Sequence, residues 1–199
     1  MPSENNNPDT DKKTEAQKGL SAFSEIFMLL EDLALMMGLA VLLFIFVIRP
    51  TGVIGDSMKS TLHDKDKLLV SNLFYQPKQG DIVVLTKKSF MPESIVKRVV
   101  AVAGQTIEVD YTENQVYIDG VPLWEPYRNE PVMIEGVISK QLEMGYPAVV
   151  PEGHIFVLGD NRNHSTDSRS ITIGMVDNRY VLGRAVFRIW PLKDFGTVK

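Results

Sequence analysis

The chain contains no cysteine, which excludes disulfides, thiolate metal sites and a cysteine nucleophile. A chain without thiols can work outside the cytoplasm with no oxidation risk, although this alone does not choose a compartment. Histidine is scarce: His63, His154 and His164 are the three in 199 residues. No two of them stand at a metal-ligand spacing such as HExxH, so no metal or other cofactor is expected. Basic charge is short as well. The 21 Lys and Arg against 25 Asp and Glu leave a net charge of -4, the wrong balance for a partner whose phosphates must be neutralised, and nucleic acid is not an expected partner. No internal repeat is visible, and past Pro50 there is no long amphipathic helical pattern.

What the chain does have begins with one apolar run. Residues 1–24 are polar, rich in Asn, Asp, Glu, Lys, Ser and Thr, and read as a disordered tail that cannot offset the entropy of ordering. From Ile26 to Ile48 only Glu31 and Asp32 are charged, and 23 residues of helix would extend about 34 Å, enough to cross a bilayer. The uncharged part, Leu33 to Ile48, reaches only about 24 Å, so the two acids must lie near the amino end, where the interface and the helix dipole tolerate them. A buried core helix rarely stays apolar on every face for this length. A cleaved signal peptide fits poorly, because Arg49-Pro50-Thr51 follows where small residues are needed. Residues 25–49 are therefore expected to form one transmembrane helix. Lys12, Lys13 and Lys18 before it and only Arg49 close behind it predict a cytoplasmic amino terminus. Residues 50–199 would then form an extracytoplasmic domain at the cell membrane.

After Pro50 the texture is β: short runs of branched and aromatic residues between turn signals. Strands are predicted at Lys67 to Leu73, Asp81 to Thr86, Ile95 to Val102, Thr106 to Asp110, Gln115 to Ile118, His154 to Leu158 and Tyr180 to Trp190. Asp119-Gly120 predicts a two-residue hairpin, since type I′ turns need positive φ at both central positions. Residues from about 111 to 150, with acidic side chains and prolines, read as a smaller β insertion.

Three stretches can carry chemistry. Ser57, in Gly55-Asp56-Ser57-Met58, sits just past the apolar run; on its own a serine after glycine is a turn residue. In SIVKRVVAVAG, strand alternation puts Lys97 on one face with Ile95, Val99 and Ala101. Such a lysine either snorkels to the surface or is desolvated, and desolvation lowers its pKa. Arg98 cannot deprotonate, so of the two adjacent cations only Lys97 can be a general base. The third stretch, GDNRNHSTDSR from Gly159 to Arg169, is either a solvated loop or one held rigid by bidentate Asp–Arg pairs. His164 allows a rival Ser-His-Asp arrangement with Ser57 in a polar, wet setting.

The order of an apolar run, GDSMKSTLHDKDKLLV, QGDIVVL, VKRVVAVAGQTIEV, GDNRNHSTDSR and VLGRAVFRIWP resembles a bacterial type I signal peptidase of the short single-span kind, over residues 25 to 195. The resemblance implies a mostly β fold, an antiparallel catalytic core with a small β insertion behind one transmembrane helix. It implies a membrane-bound serine endopeptidase that removes signal peptides from secretory preproteins, near the bilayer and the export machinery. It places the nucleophile on Ser57 and the general base on Lys97, has Ser165 bond the lysine, and has Asp160, Arg98, Asp167 and Arg169 brace the site. Ser60 stands where the family commonly has proline. Gly55 stands where some members carry a serine that adds to the oxyanion hole, which would leave that hole to backbone N–H groups including that of Ser57. Two other readings are weighed against this one. A self-cleaving repressor-type peptidase should be soluble and joined to a DNA-binding module. A catalytically inactive anchored scaffold should have lost at least one of the serine, the lysine or the bracing loop.

Overall fold

A computed structural model describes residues 8–46, 48–86, 93–128, 130–131 and 144–198. The chain divides into two compact units, Met1–Phe46 and Val47–Lys199.

The first unit is a helix, α1 (Pro8–Phe46). It starts well inside the segment read from sequence as a disordered tail. Pro8 is suited to a first helical turn, where its missing N–H would be unpaired anyway, and the Lys, Glu, Ala and Gln of KKTEAQK are good helix formers despite their polarity. Residues 1–7 lie outside the described residues. Among the described residues no helix is long and apolar enough to cross a membrane. Glu25, Glu31 and Asp32 all fall in α1, and the side chains of 43–48, where the expected span ends, lie outside the described residues.

The second unit is antiparallel β. The first strand, β1 (Ile48–Gly52), was not anticipated, and it takes Ile48 and Arg49 from the segment read as helix. Its pairing with β2 (Lys67–Ser71) puts it at the sheet edge, where Pro50 can sit without breaking a ladder on both sides. The other predicted strands are present: β3 (Ile82–Leu85), β4 (Ile95–Val102), β5 (Thr106–Asp110), β6 (Gln115–Ile118), β9 (His154–Leu158) and β11 (Val181–Trp190). Four two-residue strands join them, β7 (Val121–Pro122), β8 (Ala148–Val149), β10 (Val176–Asp177) and β12 (Gly196–Thr197). The larger sheet runs β1-β2-β11-β3-β4-β9-β10, with β12 on β11, and the smaller one runs β7-β6-β5-β8. The predicted hairpin joins β6 to β7, and Asp119 and Gly120 both have positive φ, 53° and 76°.

Both faces of the larger sheet are covered, and β3 shows how. Its residues are all buried, with Ile82 and Val84 in a cluster with Met58, Leu62 and Val70 on one face. Val83 and Leu85 join Val99, Ile155 and Val157 on the other. A strand covered on both sides reads as a continuous apolar run, as IVVL does. A register shift between Val99 and Ala101 in the β4–β9 ladder changes the expected alternation. Val100 and Ala101 both turn into a third cluster, with Ile107, Val109, Val116 and Ile118 of the smaller sheet. Ala101 therefore leaves the Ile95 and Val99 stripe, and the bulge seats the insertion on the core.

Candidate active site

Strand β4 presents two adjacent cations to opposite faces, and both are only 3% exposed. Lys97 reaches the turn that follows the buried Val53, and its Nζ stands 2.6 Å from Ser57 Oγ. These residues are 40 apart in sequence, brought together because Met58 and Leu62 anchor the Ser57 turn in the core. Burial pushes the Lys97 amine down from about 10.5 to about 8. Asp167 and Asp160 pull it up and Arg169 pushes it down, but desolvation outweighs them. Of the two states weighed from sequence, snorkelling or desolvated, the lysine is desolvated.

Arg98 is met quite differently. Its Nε donates to Asp160 Oδ1 at 2.8 Å and its Nη2 to Asp160 Oδ2 at 2.7 Å, a bidentate pair with the carboxylate fully buried. Thr61 Oγ1 donates to the same Oδ2 at 2.5 Å, and Nη1 of Arg98 donates to Gly80 O. The guanidinium also stacks 3.8 Å above the Tyr127 ring.

The loop after β9 carries a second buried pair. Arg169 Nε donates to Asp167 Oδ1 at 2.8 Å and Nη2 to Oδ2 at 3.0 Å. Burial raises the Asp167 carboxyl, but Arg169 and the Gly159 N–H outweigh it, leaving the group below the usual carboxylate range and ionised. The stretch that sequence left open between wet loop and rigid brace is a brace. Asp160, Asn161, Arg162, Ser165, Asp167, Ser168 and Arg169 are all buried.

The loop also grips the backbone of Ser57. Asn161 N–H donates to Ser57 O at 3.0 Å and Asn161 Nδ2 to Asp56 O at 3.0 Å. Gly159 must be glycine here, because a Cβ on it would lie 2.3 Å from Ser165 Oγ and 2.5 Å from Ser57 O. Ser165 itself is buried beside this contact, but its Oγ has no hydrogen-bond partner. No bond to Lys97 forms. Gly55 has φ +80° and gives its N–H to Asp64 Oδ1 at 3.0 Å, so that amide is not a spare oxyanion donor. Ser57 N–H has no acceptor among the described residues. His164 and His63 are exposed, and His154 Nδ1 sits 2.9 Å from Glu152 O, so no imidazole backs the serine.

Sequence reasoning passed over four participants. Asn161 stands in the GDNRNHSTDSR stretch with no role of its own assigned from sequence. Arg162, its side chain fully buried, binds Glu125 in a two-point ion pair, and Tyr127 packs on Arg98. Arg98, Arg162 and Arg169 are three buried guanidiniums while the loop offers only Asp160 and Asp167, and Glu125 supplies the third carboxylate.

Residues 26–190 match the family described as signal peptidase, peptidase S26, a stretch that includes Ser57, Lys97 and the whole bracing loop. The chain belongs to this family. As an S26 peptidase it is a serine endopeptidase, hydrolysing peptide bonds. Similar relatives include the probable signal peptidase I-1 of Synechocystis sp. (strain ATCC 27184 / PCC 6803 / Kazusa), 37% identical over 79% of this chain and 79% of that protein. Signal peptidase IB of Staphylococcus aureus is 34% identical over 78% of this chain and 86% of its own. Signal peptidase I of Bacillus licheniformis is 31% identical over 89% and 96%. A crystal structure of a signal peptidase I from Enterococcus faecalis V583 aligns with a TM-score of 0.44 at 30% identity, covering 56% of this chain and 98% of that one.

Proposed function

We propose that this S26 peptidase removes signal peptides from exported preproteins through a Ser57–Lys97 dyad. The observation that carries the reading is the 2.6 Å approach of Lys97 Nζ to Ser57 Oγ in a setting that brings the amine to about 8. With its proton gone, Lys97 accepts the Ser57 hydroxyl proton as Oγ attacks the scissile carbonyl carbon and the carbonyl π electrons move to oxygen. The oxyanion is met by the Ser57 N–H, held in place because Asn161 fixes the carbonyl of the same residue. The Lys97 ammonium then gives its proton to the departing amine nitrogen as the C–N bond breaks. A water, deprotonated by Lys97, attacks the acyl-enzyme, and the same proton returns to Ser57 Oγ.

Arg98, Asp160, Asp167 and Arg169 serve this chemistry without touching substrate. They pair with each other, so Lys97 is the cation left to shed its charge. The complete set also speaks against an inactive scaffold, in which selection no longer holds a buried lysine against a serine. The membrane part of the proposal rests on the sequence: the apolar run that begins at Ile26 as a single-pass anchor, and the lysines before it setting a cytoplasmic amino terminus. An anchor of that kind would keep the enzyme beside substrates whose own apolar segments lie in the same bilayer, raising effective concentration.

The test is cleavage of a preprotein by the full chain in detergent. Ser57→Ala and Lys97→Ala are each expected to lower kcat by about a thousandfold or more. Lys97→Arg is expected to be equally inactive, because a guanidinium keeps its proton. Wild-type activity should rise with pH through an apparent pKa near 8. Substantial turnover by any of the three variants would remove the dyad.

A further inference from the structure

The segment that leaves β7 does not return directly to the smaller sheet. It crosses to the dyad and makes a contact with each of the three stretches that build it. Tyr127 O accepts from Ser60 Oγ at 2.6 Å, three residues past the nucleophile. The Tyr127 ring lies under Arg98, next to the base on β4. Pro131 O accepts from Asn163 Nδ2 at 2.9 Å on the bracing loop. Ser60 has φ 90°, a backbone state closed to proline, whose ring locks φ near -65°. The residue that departs from the family's common proline is thus the one this segment holds.

Glu125 makes the deepest of these contacts. Its side chain is 3% exposed and that of Arg162 is fully buried. The pair is bidentate, with Arg162 Nη1 donating to Oε2 at 3.0 Å and Nη2 to Oε1. Two further bonds turn Arg162 into a relay. Its Nε donates to Gly159 O at 3.0 Å, and its own carbonyl accepts from Arg169 Nη2 at 2.5 Å. Gly159 packs against Ser57 O with no room for a Cβ, and Asn161, one residue before Arg162, donates to that same oxygen. A single carboxylate from the insertion therefore sets the loop that sets the nucleophile.

We propose that Glu125 is a positioning residue for the peptidase reaction, acting through Arg162 to hold Gly159 and Asn161 against the Ser57 carbonyl. This rests on the Ser57–Lys97 reading. The insertion is then part of the active-site frame and not an appendage on it. Its contribution falls on the reacting geometry, so loss of the carboxylate lowers kcat and leaves substrate affinity nearly unchanged.

Glu125→Gln is the direct variant, but it strands a buried guanidinium and can unfold the loop. The decisive variant is the double substitution Glu125→Leu with Arg162→Met, which replaces the ion pair by apolar groups of similar volume and removes the bond to Gly159. In the full chain in detergent, the double variant is expected to keep the wild-type melting temperature. Its kcat should fall about ten- to a hundredfold, the scale of a displacement of about 1 Å, with KM within about twofold. Amide exchange at Asn161 should accelerate, a readout that needs no activity. The apparent pKa of the pH-rate profile should rise as water reaches Lys97. Glu113→Gln, on the exposed side of the insertion, should match wild type in every measurement.

Wild-type kcat and Asn161 protection in the double variant would overturn the proposal. So would failure of the double variant to fold, because the pair would then serve stability and not position. Turnover by Ser57→Ala would instead remove the dyad reading, leaving the exchange measurement to judge Glu125 by itself.

Discussion

The two faces of β4 hold one cation each, and the molecule treats them in opposite ways. Lys97 and Arg98 are equally buried, yet Arg98 has a carboxylate gripped at two points while the described hydrogen bond of Lys97 goes to a neutral hydroxyl. The chemistry of the two groups explains the choice. A guanidinium cannot shed its proton, so burying it requires a fixed counter-charge. An amine can, and withholding a close carboxylate is what lets desolvation bring it to about 8. Asp160 and Asp167 are near enough to Lys97 to raise it, but each is committed to an arginine. The arginines thus keep the carboxylates away from the lysine as much as they keep the loop rigid.

The strongest way to break the contrast is to unpair Arg98. Asp160→Asn leaves a buried guanidinium without its counter-charge and is expected to cost about 3–5 kcal/mol of stability, read by urea denaturation. A loss below about 1 kcal/mol would mean that Arg98 reaches solvent or another acceptor. The opposite side is expected to respond with the opposite sign. Lys97→Met should stabilise the fold at pH 7 by up to about 3 kcal/mol, since the shift from about 10.5 to about 8 is worth about 1.36 kcal/mol per unit. Between those two pH values the unfolded chain holds more protons than the folded one, so wild-type stability rises with pH there. The advantage of Lys97→Met is therefore complete below pH 8 and gone above about 10.5. A stabilisation constant across that range would assign it to packing.

Much of this arrangement could be read from residue order, and the parts that could not have physical reasons. Strands β4, β5, β6 and β9 matched their predicted limits because each is a short run rich in β-branched or aromatic residues between turn signals. The two-residue strands β7, β8, β10 and β12 are too short to show any period, and they exist because neighbouring strands offer partners. The start of α1 at Pro8 was hidden by polarity, which helix propensity does not penalise. Lys97 and the bracing loop stood out as a lysine on an apolar stripe and a density of paired charges, whereas Ser57 reads locally as a turn serine and drew notice only through the family resemblance. Asn161, Glu125 and Tyr127 did not stand out, because their roles depend on contacts with residues far away along the chain, as far as 105 positions for Asn161. The bulge at Val100 is likewise invisible locally, since it answers to the smaller sheet packed against it. Ser165 is the place where resemblance implied a bond to the lysine and the structure has none.

The smallest expected effect sharpens the comparison most cleanly. Arg179 and Asp177 form a bidentate pair much like that of Arg98 and Asp160, with Nε 3.0 Å from Oδ1 and Nη2 2.7 Å from Oδ2. The difference lies in the setting, because the Arg179 side chain is 84% exposed. Water already solvates both partners there, so forming the pair gains little and breaking it strands no charge. Arg179→Ala is expected to leave the urea midpoint and the peptidase activity at wild-type values, provided Asp177 is kept to cap the turn through Arg179 N. A loss comparable to that of Asp160→Asn would show that pairing geometry, not burial, sets the strength of these contacts. The account of β4 would then fail with it, since it rests on burial making an unpaired arginine costly and an unpaired lysine useful.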